Sequence, residues 1–143
     1  MRGAALLIAV AALTSGCHKA AGRNAIVGTW LVHDSQAPFP MHMYVFNRDG
    51  TMQQANPDAG DAHGSDSDGK GVWIRQGGQV RGKWVEVMAD RTTHRFTGRG
   101  EYSFEIRVDG NHLTGGGTMR LYDADGRPAS EVPTKFDGER VQL

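Results

Sequence analysis

From residue 26 onward the chain alternates apolar and polar positions, and the alternation has a period of two. It is sharpest over 95–108. Phe96, Gly98, Gly100, Tyr102, Phe104, Ile106 and Val108 fall on one side, and Arg95, Thr97, Arg99, Glu101, Ser103, Glu105 and Arg107 on the other. Such separation belongs to a strand with one buried and one wet face. Asp109-Gly110-Asn111 follows, a run that tolerates positive φ and therefore turns the chain. The pattern resumes over 112–122, with Leu113, Gly115, Gly117, Met119 and Leu121 on one face. Further turns are marked by residues 48–51, Gly77-Gly78 and Asp125-Gly126. The spacing predicts strands at 26–33, 40–47, 51–56, 71–76, 79–88, 94–108, 112–122 and 129–142, and no stretch carries sustained helical periodicity. Eight consecutive strands joined by short turns predict an all-β fold, an eight-stranded antiparallel up-and-down barrel. Closure removes the sheet edges that promote aggregation. A β-sandwich needs longer crossings than these.

One strand is mixed. In 79–88, Val80, Trp84 and Met88 share a face with Glu86, while Val85 and Val87 lie opposite. A bulge that turns Glu86 to solvent accounts for this pattern.

The amino terminus reads differently. Met1-Arg2 precedes an unbroken apolar run of ten residues, 4–13. A bilayer span needs about 20 residues, so this run fits the core of a signal peptide. Thr14-Ser15-Gly16 then leads to Cys17, the single cysteine of the chain, which has no internal disulfide partner. Ser15-Gly16-Cys17 resembles the lipobox of bacterial lipoproteins, with Thr14 where leucine is usual. The resemblance implies cleavage after residue 16 and acylation, for instance with palmitate, at Cys17. His18, where aspartate marks inner-membrane retention, implies the outer membrane facing the periplasm. The expected organisation is a signal peptide at 1–16, a lipidated tether at 17–25 and a barrel domain at 26–143, with export to the periplasm or beyond as the simpler alternative.

Sixteen basic and sixteen acidic residues give zero net charge among 143 residues. That balance argues against a nucleic-acid partner. The Trp, Phe, Val and Met content argues against disorder.

Gly28-Thr29-Trp30 opens the first strand, and Arg140 stands near the end of the last. This pairing resembles the calycins, the group of lipocalin, avidin and fatty-acid-binding barrels. The resemblance implies that Trp30 closes the floor of the barrel with Arg140 packed against it, the guanidinium gaining cation–π energy over the indole. The chain lacks the Thr-Asp-Tyr motif and the cysteine pair of many lipocalins, so it reads as lipocalin-like.

Candidate binding residues are the polar and aromatic members of the inner face: His42, Tyr44, Trp73, Trp84, Glu86, Tyr102, Phe104 and Met119. Met41, Met43, Phe46, Met52 and Met88 are further candidates for an apolar lining. Gly98, Gly100, Gly115 and Gly117 lie on buried faces. They either leave room for a ligand or permit the coiling of a small barrel. Buried, Glu86 acquires a raised pKa, which makes it the weak candidate for a catalytic group beside His42 and Tyr44.

The stretch 57–71 holds Asp58, Asp61, His63, Asp66 and Asp68, but it fails the EF-hand template at Gly64 and Arg75 and reads as a solvated loop, with a lid over the barrel as the functional alternative. No residue pattern calls for a metal or a cofactor, and no nucleophile motif is present. The leading expectation is an envelope-associated binding barrel for a small apolar molecule. A structural or interaction barrel with a filled core and a small cyclase- or isomerase-type enzyme stand as alternatives, and the sequence does not fix the oligomeric state.

Overall fold

The computed structural model describes residues 25–57 and 62–143. The expected signal peptide, Cys17 and all but the last residue of the tether lie outside the described residues. The strands are β1 (Gly28–His33), β2 (Met41–Phe46), β3 (Thr51–Ala55), β4 (Gly64–Asp66), β5 (Gly69–Gln76), β6 (Gln79–Asp90), β7 (Phe96–Asp109), β8 (His112–Asp123) and β9 (Pro128–Arg140). Every pairing is antiparallel. The order β6-β5-β3-β2-β1-β9-β8-β7 closes through a ladder between β6 and β7. The result is a closed eight-stranded barrel of lipocalin-like architecture.

Strand β4 is the departure from the expected loop over 57–71. It pairs with the end of β6, from Gly64 opposite Asp90 to Asp66 opposite Met88, while β5 takes up the same side of β6 from Lys70 opposite Val85. Ser67 bridges the kink between them. Its backbone donates to the Val87 carbonyl at 3.0 Å and its hydroxyl accepts from the Val87 amide at 3.1 Å. A side-chain oxygen here replaces a ladder carbonyl, so a polar, Asp-rich segment extends the wall without apolar alternation. Burial is shallow there, which is why the period-two signal is missing.

Up-and-down topology gives the barrel two distinct ends. Residues 34–40, 56–63, 91–95 and 124–127 connect strands at one end, the mouth. Residues 47–50, 77–78 and 110–111 connect them at the other, the floor, where the chain also enters and leaves.

The floor is built around Trp30, which is fully buried. Its indole Nε1 donates to the Ile26 carbonyl at 2.8 Å, and the Arg140 guanidinium carbon lies 4.3 Å from the ring centroid. Arg140 also donates from one nitrogen to the Val27 carbonyl at 2.7 Å and from the other to the Ala25 carbonyl. Gly28 is required twice over. Its φ is +132°, and a Cβ there would lie 2.7 Å from the Arg140 nitrogen.

Above the floor the interior is packed with rings. Phe46 meets Trp73 and Phe104 edge-on at 6.0 and 6.1 Å, and Tyr44 meets Phe136 at 5.8 Å. The inward glycines lie beneath such side chains. A Cβ on Gly115 would come within 2.6 Å of Phe136, one on Gly117 within 2.5 Å of Tyr102, and one on Gly82 within 2.3 Å of Phe104. Gly115 and Gly117 therefore do not open a cavity. They make room for rings reaching across from neighbouring strands.

Outside, the expected charged face is present as pairs, among them Arg99 to Glu101 at 2.8 Å and Arg120 to Glu131 at 2.9 Å. Met41 and Met43 also point outward, at 39% and 47% exposure, and drop out of any interior lining. Alternation along β2 places His42 and Tyr44 inside instead.

Candidate functional site at the mouth

The bulge expected to expel Glu86 is absent from that place. The β6–β7 ladder runs unbroken from Val80 opposite Ile106 to Met88 opposite Gly98, and the register shifts only between Met88 and Ala89. Glu86 therefore stays in phase with Val80 and Trp84 and points inward, 7% exposed, while Val87 faces out. The outward valines are surface residues of a wet face, which single-sequence alternation does not distinguish from buried ones.

One level of the barrel gathers polar side chains. Tyr44 lies opposite Gln54 and Gln54 opposite Gly69. Gly69 precedes the Lys70–Val85 pair, which puts it level with Glu86, and Glu86 lies opposite Gly100. The two glycines hold this level open for their neighbours. A Cβ on Gly69 would sit 2.6 Å from the Trp84 ring and 2.9 Å from Gln54 Oε1. One on Gly100 would sit 2.7 Å from Glu86 Oε1 and 3.1 Å from the Met119 sulfur.

Gln54 is 1% exposed and orders this layer. Its Oε1 accepts from the Gly69 amide at 3.1 Å, so its amino group faces the other way. That group donates to Asn56 Oδ1 and approaches His42 Nδ1 at 3.2 Å. The network assigns His42 Nδ1 as the acceptor, which leaves the proton on Nε2. Burial lowers the pKa of His42, opposed by Asp34 and the Phe39 carbonyl, so the ring is neutral at pH 7. Tyr102 donates to or accepts from Thr134 Oγ1 at 2.6 Å, and burial pushes its pKa up to about 12. Burial also raises the pKa of Tyr44.

Two buried groups around this layer lack a partner. His42 Nε2 and Trp84 Nε1 are buried without a hydrogen bond among the described residues. The Trp84 indole neighbours the Tyr44 hydroxyl without forming an aligned bond. No described group bonds the Glu86 carboxyl. Its pKa is raised from 4.5 to about 7, first by burial and then by the Asp66 carboxylate. An unsatisfied buried polar group costs about 1–3 kcal/mol, so these two nitrogens near the raised Glu86 carboxyl require an explanation.

The sequence-derived candidates divide by height. His42, Tyr44, Trp84, Glu86, Tyr102 and Met119 come together in the mouth half. Trp73 and Phe104 belong to the packing around Phe46, and Trp73 Nε1 donates to the Asn47 and Thr51 carbonyls at 3.0 and 3.1 Å, on the floor side. Gln54 and Asn56 escaped the sequence reading. A glutamine at an inward position of β3, beside Met52, was the available signal. No cluster of metal-ligating side chains occurs among the described residues.

Glu86 makes stability depend on pH. The unfolded chain releases this proton near 4.5 and the folded chain near 7, so the folded state binds more protons in between. Stability should fall as pH rises from about 4.5 to 7, by roughly 3 kcal/mol from this group, and level off above. Denaturant midpoints measured across that window check it. Glu86→Gln should flatten the slope, and an unchanged slope in that variant would remove Glu86 as its source.

Fold and site together define a closed lipocalin-like barrel with a sealed aromatic floor and a polar layer beneath its mouth. Comparison of the chain with protein-family models, characterised proteins and solved structures gives no match.

Proposed function

We propose that this chain is a lipid-anchored binding barrel of the bacterial cell envelope, an outer-membrane lipoprotein facing the periplasm, which holds one small molecule at its mouth. The observation that carries the binding reading is the pair of buried, unpartnered nitrogens of Trp84 and His42, on the same inward side of the wall as the buried Glu86 carboxyl. Pre-formed sites of this kind combine an apolar lining with a few convergent polar groups. Met88 and Met119 supply the adaptable apolar part. Ring packing below this level restricts the ligand to the upper barrel, so it carries a polar end as well as an apolar body. The same packing favours a second reading, a barrel with a filled core that serves as a structural or interaction module. The enzyme alternative has less support, because among the described residues no second polar group is hydrogen-bonded to Glu86 to form an acid–base pair.

Two measurements test the proposal. Native mass spectrometry of protein purified from its own envelope should show a bound small molecule that organic solvent extracts. A mass equal to the bare polypeptide in every preparation would favour the filled-core reading. For the anchor, growth with labelled palmitate should label the wild type, and Cys17→Ser should abolish labelling and move the protein from the membrane to the soluble fraction. An acyl anchor holds through its buried methylenes, so its loss should release most of the protein. Unchanged membrane retention of the variant would sink the anchor.

A further inference from the structure

Taking the mouth as a binding site, as proposed above, we infer that it recognises an uncharged small molecule through a carbonyl oxygen, which accepts hydrogen bonds from Trp84 Nε1 and from its neighbours in the polar layer. The argument starts from the hydrogen-bonding capacity of the side chains. An indole N–H is a donor only. The Gln54 network spends His42 Nδ1 as an acceptor, which turns His42 Nε2 into a second donor. Glu86 adds a third donor when it carries its proton. Nothing in this layer offers a free cation. The charged groups around it are acidic: Asp66 from β4 acts on Glu86, and Asp34 beyond the end of β1 acts on His42 and Tyr44. Tyr44 from β2 is the other titratable group that interacts with Glu86; β7 presents Gly100 and, one step toward the floor, Tyr102, held by Thr134 and kept neutral by its raised pKa, and β8 presents Met119 and Leu121. Donors without a cation, set among carboxylates, suit a neutral acceptor and repel an anion. A ligand that leaves the indole N–H unpaired forfeits the bond that makes the site selective.

Acetophenone, ethylbenzene and benzoate share one ring and differ in the group presented. They are titrated into the purified full chain at pH 6 and pH 8, while the indole N–H resonances are followed by nuclear magnetic resonance. Trp84 is assigned by comparison with Trp84→Phe. Acetophenone should move the Trp84 resonance downfield and bind up to about tenfold more tightly than ethylbenzene, the worth of one hydrogen bond. Benzoate should bind more weakly than acetophenone at both pH values. Acetophenone should bind more tightly at pH 6, where Glu86 donates, and Glu86→Gln, which always donates, should bind equally at both. Trp84→Phe should reduce the preference for acetophenone over ethylbenzene. Equal binding of ethylbenzene and acetophenone with a stationary Trp84 resonance overturns the inference but leaves a binding barrel. Preference for benzoate overturns it in favour of an anion site. Failure of all three to bind overturns the inference and the mouth reading together. Unaltered resonances elsewhere in each variant show that the barrel is folded.

Discussion

Trp30→Ala should lower the stability of the barrel by about 3–5 kcal/mol, the cost of deleting a buried aromatic side chain from a site that cannot collapse. Collapse is blocked because the walls of the site are backbone. The Ile26 carbonyl accepts from the indole on one side, and Arg140 is tied to the Val27 and Ala25 carbonyls on the other. A domain of this size has about 5–15 kcal/mol in total, so the variant should be marginal at 37 °C. Arg140→Met keeps most of the stem and removes the charge. It should cost less, and a double-mutant cycle between the two positions should return a coupling of about 1 kcal/mol. Chemical denaturation of the four proteins gives every quantity needed. Additive losses would mean that the guanidinium and the indole do not act as one closure.

Gly117→Val is the second large effect. The added Cβ would fall 2.4 Å from the Ser103 carbonyl and 2.5 Å from the Tyr102 ring, and the ring can yield only by breaking its bond with Thr134. Overpacking of this kind costs about 3 kcal/mol. The prediction separates two readings of the same residue. Were Gly117 the wall of an empty cavity, valine would fill it at little cost or with a gain. A denaturation midpoint equal to the wild type would restore the cavity and withdraw the ring-filled interior. Gly77, in an exposed turn with nothing within 4 Å of its Cβ, provides a site where steric cost is absent and only its φ of +58° resists substitution.

Gly117 shows where sequence reading ends. Gly77 is legible as a turn and Gly117 as an inward strand position, but the sequence leaves open whether Gly117 lightens a cavity or makes room for a neighbour. What decides it is the identity of the side chain arriving from another strand, which depends on register across the barrel. Glu86 makes the same point from the opposite direction. The outward valines beside it imitate a buried face, so alternation alone suggested a bulge, and only the continuous β6–β7 ladder shows the carboxyl inside. Strand β4 was missed because its stabilisation is a side-chain bridge through Ser67 and not an apolar stripe.

What the sequence determined by itself is the class of fold, the number of barrel strands and the direction of most side chains. Those follow from period-two alternation and turn residues, which are local properties of a chain that must bury one face. The pairing of Gly28-x-Trp30 with Arg140 was also legible, because it joins two positions fixed at the ends of the strand order. The tertiary structure alone decided that the middle of the barrel is filled, and that Gln54, His42, Trp84 and Glu86 gather in its mouth half. Those outcomes depend on how eight strands are staggered around a closed wall. Stagger is set by the sum of all the hydrogen-bonded registers, and no single segment contains it.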